Sequence, residues 1–434
     1  MINHDTEQTR ARVAWIAAGA RGVPPALADA ARLARYDIVE PPATADIAVV
    51  DLYGADPDSP AAAVAVASAR RLGAGAGVLI AADAAATSEH RRRLARLGDT
   101  VFLRTSVEPL IGAVRERLRL AALAEETGDR LKSLVADGRA VSFSTPPRKE
   151  DVAVLIAGKP SPLALAASHA LRAASRTPVS VFTAGQAMRA LDHTSFDGAV
   201  FIPADENDLL IALARALRRH REHRRLPVVI LSADEELLDR RAARDGLDAM
   251  AAARAGDDLA RRLETMTRRA SMSAAMRAFL RSPEGNGGGR GVANARLFAQ
   301  HAMRVSANAD DKGRAVAFVA LTLSPKTGSD AAGAARGLFD EALRTAGRLV
   351  RAEDMIARLT TTTFIVMLRG TRRGDADRVA RRLEGVVTGV QPRATLDLWD
   401  VRASALERAP GMEFERVIAA LVADLRSRRE PKSA

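Results

Sequence analysis

The chain has 434 residues, 47% apolar and 27% charged, so it is globular rather than disordered, and at roughly 100–200 residues per domain it accommodates about two to four domains. It contains no cysteine, which excludes a disulfide framework, a thiolate metal site and a cysteine nucleophile and fits a reducing compartment. Lys and Arg number 65 against 53 Asp and Glu, a net charge of +12 carried mainly by Arg interleaved with Ala; this leaves open both solvated helix faces and an anionic partner such as a nucleotide, DNA or lipid.

The opening residues MINHDTEQTRAR are polar and lack the apolar core of a signal peptide. No run of about 18 apolar residues is free of charge, so no membrane helix is expected. The reading is a soluble, cytoplasmic protein without membrane insertion.

Between residues 12 and 120, RVAWIAAG, DIAVVDLYG, GVLIAAD and DTVFLR read as strands. Ala/Arg/Leu-rich helical stretches separate them, beginning with PALADAARLARY and ending with VEPLIGAVRERLRLAAL. Continuous apolar strands between helices indicate a parallel sheet covered on both faces. LAALAEETGDRLKSLVADGRA reads as a helix leaving this unit. The pattern then repeats with DVAVLIAG, PVSVFTA, DGAVFIPAD, LPVVILSAD and DAMAAA as strands. Two consecutive units of similar spacing indicate a duplication.

RRASMSAAMRAFLRS is helical and SPEGNGGGRG follows it, a glycine run suited to a boundary. Beyond it helices and strands alternate: ANARLFAQHAMRVSA, the strand RAVAFVALTLS, AAGAARGLFDEALRTAGRLV, the strand TTTTFIVMLRG, DADRVARRLEGVV and the strand ATLDLWDVRA. That order predicts an α+β domain.

The first unit resembles a response-regulator receiver domain: DIAVVD places Asp51 at the end of the third strand, where such a domain carries its phospho-acceptor. Its partners are missing. RVAWIAAG supplies no acidic pair for Mg²⁺, VLIAADA has Ala in place of a hydroxyl, and VFLRTSVEP lacks the lysine. Asp51 is thus a vestigial phospho-acceptor, or simply a carboxylate at a strand end. In the second unit DGAVFI puts Ile202 at that position, which cannot take a phosphoryl group; Ser232 in PVVILSAD keeps a hydroxyl position with nothing to read. Both units read as interaction or dimerisation scaffolds.

The stretch RAEDMIARLTTTTFIVMLRG resembles the GGDEF (diguanylate cyclase) family. That family carries RxxD, five residues, then GGDEF. Here Arg351 and Asp354 are followed by residues 355–359 and then by Thr360, Thr361, Thr362, Thr363 and Phe364: the spacing is kept and the four residues before Phe364 are replaced. The resemblance implies a metal carboxylate at Thr362 and another on the strand FVALTLSPK, where Thr322 or Ser324 stands. β-Branched Thr also disfavours the positive φ that glycine allows. The implied outcome is no cyclase activity, no catalytic residues, no Mg²⁺ and no other cofactor. The RxxD motif is the family's product-binding site. An Arg fork can donate to guanine O6/N7 and to phosphate, and an Asp can accept from guanine N1–H and N2–H. Arg382, in RVARRL, falls where a second arginine completes that site. A local Arg–Asp pair on a turn is the plain alternative.

The resulting expectation is an α/β chain: a receiver-like (flavodoxin-like) doubly wound domain at 10–125, a second at 150–268, a helical and Gly-rich linker at 269–290 and a degenerate GGDEF-type α+β domain at 291–428. This is the order of the PleD-type cyclases. By resemblance to effectors with a spent catalytic motif, the expected ligand is cyclic di-GMP. The expected partners are proteins of a proteolytic (ClpXP) or polar complex in cell-cycle control and a second copy of the chain, with recruitment to a cell pole and no specific DNA binding. A residual diguanylate cyclase and a phosphorylation-controlled response regulator are the alternatives.

Overall fold

Strands of four to seven residues, most of them apolar and followed by a helix, pair into two parallel sheets, and a third, antiparallel sheet lies near the carboxyl end. The computed structural model describes residues 11–19, 22–40, 45–72, 77–83, 86–103, 107–220, 222–234, 237–238, 248–252, 256–287, 292–325, 332–390 and 399–427. The chain divides into two compact units: residues up to Ala121 together with Pro146–Ser273, and Ala122–Thr145 together with Ala274 onward.

In the first unit, β1 (Ala11–Ala17), β2 (Tyr36–Val39), β3 (Ile47–Asp51), β4 (Val78–Asp83) and β5 (Asp99–Leu103) form a sheet of order β2-β1-β3-β4-β5. This is the 2-1-3-4-5 order of flavodoxin-like folds. Helices α1 (Pro25–Leu33), α2 (Pro60–Leu72), α3 (Ser88–Leu97) and the first part of α4 (Glu108–Ala136) cover it. Alternation decides the faces. Ala48 and Val50 point to α2 and α3, while Ile47 and Val49 point to Leu27 of α1 and Leu110 and Val114 of α4. Strand β2 was not evident from sequence: it has four residues, none fully buried.

The same topology recurs with β6 (Val152–Gly158), β7 (Arg176–Val181), β8 (Gly198–Ile202), β9 (Val228–Ser232) and β10 (Asp248–Ala251), in the order β10-β9-β8-β6-β7. Helices α5 (Pro162–Ala173), α6 (Ala184–His193), α7 (Leu209–Arg219) and α8 (Asp257–Arg281) accompany it. Helix α8 runs unbroken through residues 269–281, the start of the stretch read as a linker. The glycines beyond 287 in that stretch fall outside the described residues, up to 291. Within this unit the two sheets' domains share one charged cluster: Asp99 pairs with Arg269 and lies 3.5 Å from both Arg117 and Arg262, while Arg262 holds Asp248 at 2.6 Å.

The second unit is built on β11 (Val316–Pro325), β12 (Met355–Arg358), β13 (Thr363–Arg369) and β14 (Trp399–Glu407), in the antiparallel order β12-β13-β11-β14. Helices α10 (Ala332–Leu349) and α11 (Arg373–Val390) bury one face, taking Phe364, Val366 and Leu368 of β13. Helices α9 (Ala295–Asp311) and α12 (Phe414–Ser427) bury the other, taking Ile365 and Met367. Leu134 of α4 joins this second core, so residues 122–136 belong to the unit's packing. The fold class expected from sequence holds: two doubly wound parallel sheets, then an α+β sheet.

Candidate functional site

The RxxD residues form the turn between α10 and β12. Asp354 is buried, and its Oδ2 accepts the backbone N–H of Arg351 at 3.0 Å, a side-chain bond that fixes the turn. Its Oδ1 is buried without a hydrogen-bond partner among the described residues. Burial pushes the Asp354 carboxyl up to about 7, against the pull of the Arg351 guanidinium and the backbone amides of Arg351 and Arg369; Glu353 adds to the rise. Arg351 itself is exposed. Arg382, exposed on α11, donates from Nη2 to the carbonyl of Leu349 at 3.0 Å, two residues before Arg351. The structure therefore brings Arg351, Asp354 and Arg382 to one turn, with two guanidinium groups at its rim and a half-satisfied carboxyl beneath.

Strands β12 and β13 are a hairpin whose tip is Leu359–Thr362, and β12 was hidden in the sequence as a five-residue spacer. The amides of Leu359 and Thr360 both donate to the Thr363 carbonyl, at 3.0 and 3.1 Å. The Thr362 amide donates to Thr360 Oγ1 at 3.2 Å, and the Leu323 amide donates to the Thr362 carbonyl at 2.8 Å. Among the described residues only Arg35 and Ser175 are non-glycine positions with positive φ, so four threonines close this tip without that conformation. Thr360 and Thr361 are exposed, and the tip presents hydroxyl and methyl groups.

The Mg²⁺ pair implied by the family resemblance does not fit these side chains. Thr362 offers a neutral hydroxyl; Thr322 sits opposite Thr363 and Arg402, and Ser324 opposite Asp400. Asp400 accepts from Arg402 Nε at 2.5 Å, so the carboxylate across from Ser324 is already committed. Hard cations that bind phosphates are held by one or two protein carboxylates. A charged pair beside the hairpin escaped the sequence reading: Arg358 donates to Asp340 at 2.5 Å and lies 4.6 Å above the Phe339 ring. The signal was present in the register of FDE against the last residue of β12.

Asp51 ends β3, the central strand, at the position in an open α/β sheet where ligands collect. It is buried, and its Oδ1 accepts the Tyr53 amide at 2.9 Å. In the second sheet Ile202 occupies the matching strand end and presses on Gly158: a Cβ at 158 would stand 2.6 Å from the Ile202 carbonyl oxygen. Ser232 accepts the Asp234 amide at 3.0 Å, the backbone role of a strand-end hydroxyl.

Sequence reasoning missed a buried polar network in the second unit. Glu126 of α4 is fully buried; its Oε1 accepts from Arg130 Nε at 2.8 Å and lies 3.0 Å from His301 Nε2. Arg130, also fully buried, reaches Asn286 Oδ1 at 3.0 Å and the Gly285 carbonyl at 3.2 Å. Burial opposes ionisation of Glu126, but His301, Arg130 and Arg369 outweigh it and hold the carboxyl well below the usual range. No motif announces this, because its members lie up to 243 residues apart.

No family model and no curated protein matches the chain. Solved structures do resemble it. The GGDEF domain of DgcB from Caulobacter crescentus, crystallised with c-di-GMP, is 20% identical over 32% of this chain and 85% of that one, with a TM-score of 0.26. The diguanylate cyclase SiaD from Pseudomonas aeruginosa, crystallised with its activator SiaC, is 19% identical over 32% of this chain, with a TM-score of 0.27. The chain spans about half of SiaD, 55%. A putative two-component response regulator/GGDEF domain protein is 17% identical over 59% of this chain and 97% of that one, with a TM-score of 0.23. At such identities these likenesses concern fold and assign no role to single residues. No helix among the described residues is long and apolar enough to cross a membrane.

Proposed function

We propose that this chain is a catalytically silent receptor for cyclic di-GMP, a signalling protein with two receiver-like domains and a GGDEF-type domain. The observation that carries the reading is the asymmetry within one domain. At the RxxD turn Arg351, Asp354 and Arg382 converge, and Asp354 keeps a buried oxygen without a hydrogen-bond partner among the described residues. At the hairpin four threonines stand where the metal-binding and substrate-facing residues would be. Guanine N1–H and N2–H are suited to the open carboxylate oxygen, and a phosphate to the guanidinium groups.

The finer role is that of a PopA-like adaptor. In this reading the liganded chain, as a homodimer at a cell pole, presents a cell-cycle regulator to the ClpXP protease. Its support is the domain order together with the loss of both catalytic carboxylates and of the phospho-acceptor in the second receiver-like domain. Calorimetric titration of cyclic di-GMP into wild type and Arg351→Ala tests the core of the proposal: micromolar or tighter binding, lost in the variant, is expected. Accumulation of cyclic di-GMP from GTP and Mg²⁺ would instead favour a residual cyclase.

A further inference from the structure

Arg369, the last residue of β13, faces two ways. Its guanidinium leaves the sheet for helix α4, where Nη1 donates to Glu126 Oε2 at 2.6 Å and to Asp129 Oδ2 at 2.9 Å, and Nη2 lies 3.6 Å from Glu125. Three carboxylates on one stretch of helix thus surround a single side chain that is itself largely buried. Its backbone lies beside the RxxD turn. Strand β12 begins at Met355 opposite Met367, so Asp354 lies beside the end of β13, and the Arg369 amide adds its pull to the Asp354 carboxylate.

The helix is seated by more than this fork. Asn308 donates to Asp129 Oδ1 at 3.0 Å, Ser133 Oγ lies 3.1 Å from His301 Nδ1 and accepts from Arg304 Nε at 3.2 Å, and Lys312 and Arg314 hold Glu125. These partners come from α9 and the loop after it, and Gly285 and Asn286 hold Arg130 besides. Such a seat has few intermediate positions, because moving the helix strips several buried charges of their partners at once.

We propose that Arg369 is a positioning residue that ties the RxxD turn to residues 122–136 of α4, so that occupancy of the turn and seating of the helix form one linked equilibrium. The linkage rests on the reading of that turn as a cyclic di-GMP site. Donors arriving at Asp354 add to the amides that now face its carboxylate, and the end of β13 carries that adjustment to the guanidinium fork. Linkage is reciprocal: a ligand that tightens the seat binds more tightly when the seat is intact.

The test uses the full chain. Hydrogen exchange of residues 122–136 is followed with and without saturating cyclic di-GMP, and the dissociation constant is measured for wild type and Asp129→Asn. The expected results are slower exchange in that segment with ligand, and a dissociation constant about 5-fold or more higher in the variant, the lower end of ordinary coupling. Arg369→Lys, which keeps the charge and loses the fork, carries the same readout if Asp129→Asn fails to fold. A merely structural role would lower the melting temperature and leave affinity and ligand-induced protection as in wild type. Binding to wild type with unchanged exchange, or equal affinity in the variants, overturns the linkage alone. Absence of binding to wild type overturns the reading of the turn and the linkage with it.

Discussion

The carboxylate of Asp354 accepts the backbone amide of Arg351 at 3.0 Å, so the two ends of the RxxD motif are joined by a hydrogen bond that leaves the other carboxylate oxygen buried and, among the described residues, open. The bond fixes the turn. The open oxygen makes the turn costly to ionise, and that cost is what a ligand with N–H donors can relieve.

A pH dependence follows. With the folded carboxyl raised to about 7, above its ordinary value, the neutral form is the one the fold favours. The contribution of Asp354 to stability is complete below about pH 4 and is lost as pH rises through about 7. On the proposed reading ligand donors favour the charged form, so cyclic di-GMP affinity should rise over the same range. Asp354→Asn should remove both dependences, because a carboxamide does not titrate in this range. Denaturation and calorimetry at pH 5, 6, 7 and 8 check both signs.

Glu126→Ala should be among the most damaging substitutions in the second unit. It leaves Arg130 fully buried without its counter-charge and takes one carboxylate from Arg369. Removing one partner of a buried ion pair costs about 3–5 kcal/mol. A loss of that size in the unfolding transition of this unit is expected, whereas exchange of an exposed ion pair such as Arg32–Asp29 for alanines should stay within about 1 kcal/mol.

Gly158→Ala tests the close packing of β6 against the end of β8. The added methyl would stand 2.6 Å from the Ile202 carbonyl oxygen, a backbone atom that cannot rotate away. Overpacking of this kind costs about 1–3 kcal/mol, readable as a lower denaturation midpoint with an unchanged far-ultraviolet spectrum.

Incubation with GTP and Mg²⁺ should yield no cyclic di-GMP by nucleotide chromatography, and treatment with acetyl phosphate should leave the intact mass unchanged. Each outcome follows from a missing carboxylate set: the hairpin offers Thr362, and the first sheet gives Asp51 no acidic pair after β1.

The parallel sheets were legible because their strands are buried on both faces and read as apolar runs, as IAVVD and GAVFI show. The RxxD residues were legible as a register, five residues ahead of a β-run. Two strands were not: YDIV is a half-exposed edge, and MIAR is four residues folded against a neighbour only six residues away. The packing of residues 122–136 was equally hidden. Glu125, Glu126 and Asp129 look like a solvated helix face, and only the fold shows that His301, Arg314 and Arg369 meet them there. Spacing within a segment carries local motifs; partners from distant segments leave no trace in it.

The most direct test of the account is the calorimetric titration of cyclic di-GMP into the full chain beside its Arg351→Ala variant. Saturable binding at micromolar concentration or below, abolished by the substitution, is the predicted result. A wild-type chain that takes up no ligand, or a variant that binds as tightly as wild type, would contradict it.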